Sequence, residues 1–290
     1  MLTGMHTLLR SGLITAIGLG FASLPHVANA KSNATTKIVS TGKAPRAPLR
    51  YKMRPGKTTM LTRINMGMRM MGSKTHSVPM DMETAVVFGK HVTGKGRSYR
   101  IGLVDISVSG KPVPAAAKTM MSKLAVNGTV SDRGVVTSNK LTAVTVAPKL
   151  QQALEQYRRC MDHAFVVFPS QSLGIGAVWE VTTKQSMGGL GGKNAMAVTR
   201  VARYRLVHRH KNQVRLHVTV RVFAPPQTFM MQGSKMRIDK LNGSGSGTLR
   251  LNVRRFKPSV KMSTKTSLAI DSGGMKMDLT VLQDIKVSSK

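Results

Sequence analysis

Methionine is the residue whose number and spacing most invite a chemical reading. The chain has 21 of them, with a group at Met66, Met68, Met70, Met71, Met80 and Met82 near His76. Thioethers are soft ligands, and in an exported chain they could hold Cu(I). Met66, Met68 and Met70, however, share the parity of Met60 and Ile64, that of the buried side of a strand. There flexible thioethers pack irregular space or line an apolar pocket fit for acyl chains. Met66, Met68, Met70 and Met82 are therefore read as core or cavity lining, and as candidates for contact with a lipid. Copper handling and oxidant scavenging are the alternatives. No metal ligand set and no cofactor is assigned.

The second group is cationic. There are 45 Lys and Arg against 11 Asp and Glu, a formal net charge of +34. Self-repulsion of that size calls for a polyanionic neighbour, such as an acidic envelope polymer, lipopolysaccharide or an anionic membrane surface. The bland alternative is an organism whose exported proteins are all basic. In the second half of the chain, Arg215, His217, Arg221, Arg250, Arg254, Lys261 and Lys265 alternate with apolar residues. If their strands are neighbours, these side chains form one basic face. Nucleic acid fits that face less well, because aromatic residues make up 4% of the chain and single strands need aromatic stacking platforms.

Catalytic patterns are thin, and the expectation is a protein that is not an enzyme. The carboxylates are scattered, and no Ser sits in a nucleophile elbow. His208-Arg209-His210 precedes Lys211-Asn212-Gln213 and reads as a basic turn. Gly188 to Gly192 lacks the strand-to-helix setting and the Lys-Ser/Thr pair of a phosphate loop. It reads as a mobile hairpin loop, as does Gly243-Ser244-Gly245-Ser246-Gly247.

The elements that must hold these residues are strands. Period-two alternation, bounded by Gly, Pro, Asn or Ser, recurs along the chain. Met60, Ile64, Met66, Met68 and Met70 oppose Arg63, Asn65 and Arg69. Met80, Met82, Val86 and Phe88 oppose Asp81 and Glu83. Val214 to Val222, Leu249 to Val253, Val260 to Ile270 and Met275 to Val287 repeat the pattern. Two short helices are expected, one after Pro112 and Pro114, the other over Pro148 to Phe165, where Leu150, Leu154, Tyr157 and Met161 recur at helical spacing. The second would bury Cys160 as an inert thiol. The only tryptophan, Trp179, shares the parity of Val181 and Thr183 and should point inward. The fold class expected is mainly β, a curved antiparallel sheet or half barrel with two short helices.

The beginning of the chain reads as a signal peptide over residues 1–30: Arg10, an apolar run from Gly12 to Ala22, and the small-residue ending Ala28-Asn29-Ala30. That run is about half the roughly twenty residues that span a bilayer. Residues 31–47 hold almost no large apolar side chains and read as a disordered basic leader. A β-rich domain over 48–290 follows, its two halves meeting near 140–148. With one cysteine no intramolecular disulfide is available, so the core alone holds the fold.

Phe168-Pro169 followed by Leu173-Gly174-Ile175-Gly176-Ala177-Val178-Trp179 resembles a signature of uncharacterised exported bacterial proteins, a Pro-x-x-x-apolar-x-x-Gly-x-x-Trp entry into a strand. Leu49 to Gly56 looks like that family's first strand and turn, and Gly243 to Leu251 like its late Gly-x-Gly stretch. The family is similar in layout to the periplasmic lipoprotein-carrier half barrel, in which a curved sheet wraps helices over an apolar cavity. The leading expectation is an envelope binding protein, soluble after cleavage at Ala30, whose interior could hold a lipid or lipidated ligand; Trp179 is read as a core anchor, with contact to a ligand in the cavity as the alternative. A structural or scaffolding protein with a filled core is the second reading, and Met-rich copper handling the third.

Overall fold

The computed structural model describes residues 35–70, 73, 75–112, 115, 119, 122–142, 158, 165–188, 195–231, 234–272 and 275–290. Fourteen strands run through them: β1 Thr35–Ser40, β2 Gly56–Met70, β3 His76–Val92, β4 Gly96–Val108, β5 Lys111–Pro112, β6 Ala125–Val130, β7 Val136–Leu141, β8 Val178–Gly188, β9 Ala195–His210, β10 Gln213–Ala224, β11 Gln227–Met231, β12 Ser234–Asn252, β13 Lys257–Ser272 and β14 Met275–Ser289. All join one sheet in the order β1-β8-β9-β10-β12-β13-β14-β2-β3-β4-β6-β7. β11 continues beside β12 where Pro225 and Pro226 interrupt β10, and β5 pairs with β4. The sheet is antiparallel throughout and does not close into a barrel; β1 and β7 are its edges.

The protein is thus nearly all β, and alternation is the reason. Along β10 every second residue from Val214 to Ala224 is buried, and β2, β3, β12 and β13 obey the same parity over most of their length. One face of so wide a sheet can leave water only if the sheet curls over its own connections. Two connections cover that face and send side chains into it: residues 41–55, leading from edge strand β1 to central β2, through Leu49, Tyr51 and Met53, and residues 165–177, which enter β8, through Phe165, Phe168 and Leu173. Their backbone groups find partners there, as buried backbone must. Ala47 and Leu173 exchange hydrogen bonds, the Tyr51 N–H donates to Asp132 O, and the Phe168 N–H donates to Arg133 O. A chain of rings then crosses the interior. Tyr204 of β9 stacks on Trp179 of β8, Trp179 meets Phe168, Phe168 meets Tyr51, and Tyr51 meets Phe165, which touches Phe88 of β3 and Tyr99 of β4.

Several expectations are corrected. Residues 35–47 are not a disordered leader. Backbone pairing orders them rather than apolar mass, with Thr35 to Ser40 in register with β8 and Ile38 packed on the core. The two halves share one sheet, joined where β14 pairs with β2 over Met60 to Met70. Gly243 to Gly247 is no loop but the middle of β12, with its glycines on the inner face. After Leu124, β6 and β7 form a hairpin. In the first expected helix Ala115, Thr119 and Ser122 are helical. The signal segment, Gly189 to Gly192, Cys160 and the second helix, apart from helical Arg158 and its end at Phe165, lie outside the described residues. Among the described residues no helix is long and apolar enough to cross a membrane.

The β12 glycines have a steric cause. A Cβ on Gly245 would sit 2.5 Å from Thr264 Cγ2, one on Gly243 would sit 2.6 Å from Thr266 Oγ1, and one on Gly247 would run into the Lys261 carbonyl. β13 therefore lies closer to β12 than side chains would allow, as happens where a sheet bends. Gly245→Val is expected to destabilise the fold by about 1–3 kcal/mol through overpacking, more than its gain in β propensity returns. Ser244→Val, on the exposed face, should change the denaturation midpoint little. Urea midpoints of the two variants check this, and equal midpoints would refute it.

Candidate polyanion interface

The outer face of the sheet gathers the predicted cations. On β10, Arg215, His217 and Arg221 point outward and are exposed. On β12 Arg250 and on β13 Lys261 and Lys265 do the same. Arg215 stands directly opposite Arg250, and His217 faces Thr248, which faces Lys261. Arg221 faces Ser244, which faces Lys265. Six of the seven predicted residues thus share one panel of three adjacent strands. Arg254 does not join it. β12 ends at Asn252, whose side-chain oxygen accepts the N–H groups of Arg254 and Arg255 and starts the turn into β13.

Strand order adds residues that linear reading missed. Arg205 of β9 pairs with His217, Lys286 of β14 with Lys261, and Arg63 of β2 with Lys286. The result is a row Arg205, His217, Thr248, Lys261, Lys286, Arg63 across six neighbouring strands. At about 4.8 Å per strand it is about 24 Å long. The row ends at Asp81, which Arg63 engages through Nε at 2.7 Å. That hydrogen bond, with the attraction of the carboxylate, holds the Arg63 guanidinium above its ordinary value. Shallow depressions lie at both ends, one of about 460 Å³ beside Arg203, Arg205 and His217 and one of about 550 Å³ where Arg63, Lys261 and Lys286 meet Asp81, Glu83 and Asp105.

Two features separate this face from an ordinary solvated one. No Asp or Glu occurs in 197–224 or in 241–270. In addition, like charges stand directly opposite each other at Arg215/Arg250, Lys261/Lys286 and Lys286/Arg63, an arrangement that costs stability in a sheet. Opposite signs meet at Lys37, which faces Glu180, and at Arg203, whose Nη1 lies 3.2 Å from Glu180 Oε1, while Glu83 facing Asp105 on β3 and β4 is a like-charge pair of the other sign.

The proposed ligand-cavity residues are not one group. Met66 is buried in a small cluster with Val281, flanked by half-buried Met68, while Met82 belongs to the main core with Trp179. The side chain of Met70 lies outside the described residues. Trp179 is fully buried, with its indole N–H donating to Val167 O at 3.1 Å. Its ring is stacked on Tyr204 at 5.4 Å between centroids. Among the described residues no group of three or more His, Cys, Asp or Glu could hold a metal ion.

Arg200 departs from the expected pattern by lying on the inner face, 2% exposed. Burial pushes its guanidinium below its ordinary value, partly offset by the Tyr204 hydroxyl. The same burial pushes Tyr204 and Tyr51 well above the usual phenol range, although a hydrogen bond from the Val166 N–H eases the Tyr51 phenolate. The signal for Arg200 was available, since it falls in phase with Val198, Ala202, Tyr204 and Leu206.

Neither a family model nor a curated protein sequence matches the chain. Among solved structures it is similar to DynF from the dynemicin biosynthesis pathway of Micromonospora chersina, at 10% identity over 89% of this chain and 88% of that one, with a TM-score of 0.19.

Proposed function

We propose that this is a non-enzymatic envelope protein that docks through its outer face onto a linear anionic polymer or an anionic membrane surface. The observation that carries the reading is the row from Arg205 to Arg63, cationic at every strand but that of Thr248 and meeting a carboxylate only at its Asp81 end, held at strand spacing with like charges opposed. Repulsion within the row is relieved when a polyanion lies along it and its counterions are released. Export is supported by the signal-like residues 1–30. The interior serves as scaffold in this reading rather than as an acyl-chain cavity. What favours the scaffold is the ring-to-ring packing around Trp179, which leaves the indole no exposed surface.

The test is co-sedimentation with phosphatidylglycerol vesicles and titration with long-chain polyphosphate at several salt concentrations. Binding should be tight at low salt and fall by a factor on the order of 10³ between about 50 and 200 mM, as expected when about six charges are neutralised, drawn from the row together with Arg215, Arg221, Arg250 and Lys265 beside it. Salt-independent binding, or none at low salt, would overturn the proposal.

A further inference from the structure

A second group of cations lies at one end of the sheet, where three segments distant in sequence meet. The Lys52 N–H donates to Val253 O, the Val253 N–H donates to Asn212 O, and the Arg54 N–H donates to Arg254 O. These bonds bring residues 48–54, the β9–β10 turn and the β12–β13 turn side by side. Between them is a cleft of about 330 Å³ whose lining includes Arg50, Lys52, Arg209 and Lys211 and no carboxylate. Its apolar part is Leu49, Val214 and Val253, all buried.

The two arginines are fixed. Arg209 donates to Ala47 O at 2.9 Å and Pro48 O at 3.1 Å. Arg50 donates to Leu49 O, Pro169 O and Ser170 O, and its Nε lies 3.4 Å from Asp132 Oδ2. Carbonyl dipoles orient these guanidiniums, and Asp132 supplies the one formal negative charge bonded to them. Lys52 and Lys211 are exposed, on stems that can swing toward a guest. The backbone at Lys211 is left-handed, with φ of 50°, so the tight turn itself aims that side chain.

We infer that this cleft is a binding site for a phosphomonoester, distinct from the outer row. With Asp132 on Arg50, Lys52, Arg209 and Lys211 remain without a bonded carboxylate, and a guest carboxylate would bring only one charge to the three. A phosphomonoester brings nearly two, on a compact group with several acceptor oxygens that Arg and Lys can share. The buried apolar floor keeps water from one side of the guest and strengthens the attraction. The same headgroup occurs on soluble metabolites and at the surface of a membrane containing phosphatidic acid, and either source presents the same dianion.

The experiment uses the mature chain, with glycerol 3-phosphate in calorimetric titration and phosphatidic acid vesicles in co-sedimentation. Phosphatidylglycerol vesicles of matched charge are the diester control. One saturable site for glycerol 3-phosphate is expected, weakened at least tenfold in the Lys52→Ala/Lys211→Ala double variant and unchanged in Lys261→Ala/Lys265→Ala. The latter variant should lose affinity for polyphosphate, so the two proposals fail separately. Binding to phosphatidic acid vesicles alone, still dependent on Lys52 and Lys211, supports the site and assigns it to the membrane. The inference is overturned if neither probe saturates, if the double variant binds both as well as the parent, or if, in the Lys261→Ala/Lys265→Ala background that weakens the outer row, replacing Lys52 and Lys211 lowers binding to diester vesicles as much as to monoester ones. Circular dichroism of the double variant verifies that the fold is intact.

Discussion

Trp179→Ala should lower the unfolding free energy by about 3–5 kcal/mol, the largest loss expected from any single substitution in this chain. The side chain is fully buried, so its removal leaves a void that neighbours fill only in part. Three further interactions go with it: the stack on Tyr204, the tilted contact with Phe168 at 6.4 Å, and the hydrogen bond to Val167 O. The last loss leaves a buried carbonyl without that donor, which adds to the cost. Trp179→Phe keeps most of the ring area and should cost less. Denaturant midpoints of both variants check the order. The emission of Trp179 in the parent should not respond to long-chain lipid at micromolar concentration. A shift graded with chain length would instead restore the reading of the interior as an acyl cavity.

The second large effect is on binding. Replacing Arg205, Lys261 and Lys286 together by Gln should cost about two orders of magnitude in polyphosphate affinity at low salt, and should reduce the salt slope by about 3, roughly 1 for each cation removed. The same variant should be no less stable than the parent, because it relieves the opposition of Lys261 and Lys286. Removing an equal number of cations elsewhere, at Lys90, Lys95 and Lys140, all exposed, is the comparison. Equal losses from both triples would mean that net charge alone drives binding, and the row would have no special standing.

Alternation made most of this face legible in the sequence. Arg215, His217 and Arg221 are outward because Val214 to Val222 are inward, and the same rule gave Lys261, Lys265, Arg250 and the inward ring of Trp179. The rule works because a pleated strand has two sides and only one is dry. What it cannot supply is which strand lies beside which. Lys286 and Arg63 enter the row because β14 pairs with β2, and no local pattern reports a pairing between segments so far apart. The rim cleft was hidden for the same reason: Arg50 and Arg209 meet through backbone bonds of connecting segments, which have no period. Arg254 was misplaced because the alternation of Leu249 to Val253 runs one residue past the end of the ladder. The glycines of β12 have the composition of a loop because glycine-rich strands are uncommon, and the nearness of β13 explains them.

The pairing of β14 with β2 also fixes a sequence of events in time. Most neighbours in this sheet are hairpins, whose partners meet soon after they are synthesised. β2 is different, since one of its two partners is made more than two hundred residues later, and β1 likewise waits for β8. Contacts so distant in the chain slow folding, because the loop must be closed before any contact rewards it. Until β14 arrives, β2 presents an unpaired edge flanked by Met66 and Met68, the kind of edge that recruits other strands. A chain interrupted before β14 should therefore aggregate rather than fold in part, and a chain kept extended until all of it is available would avoid that hazard.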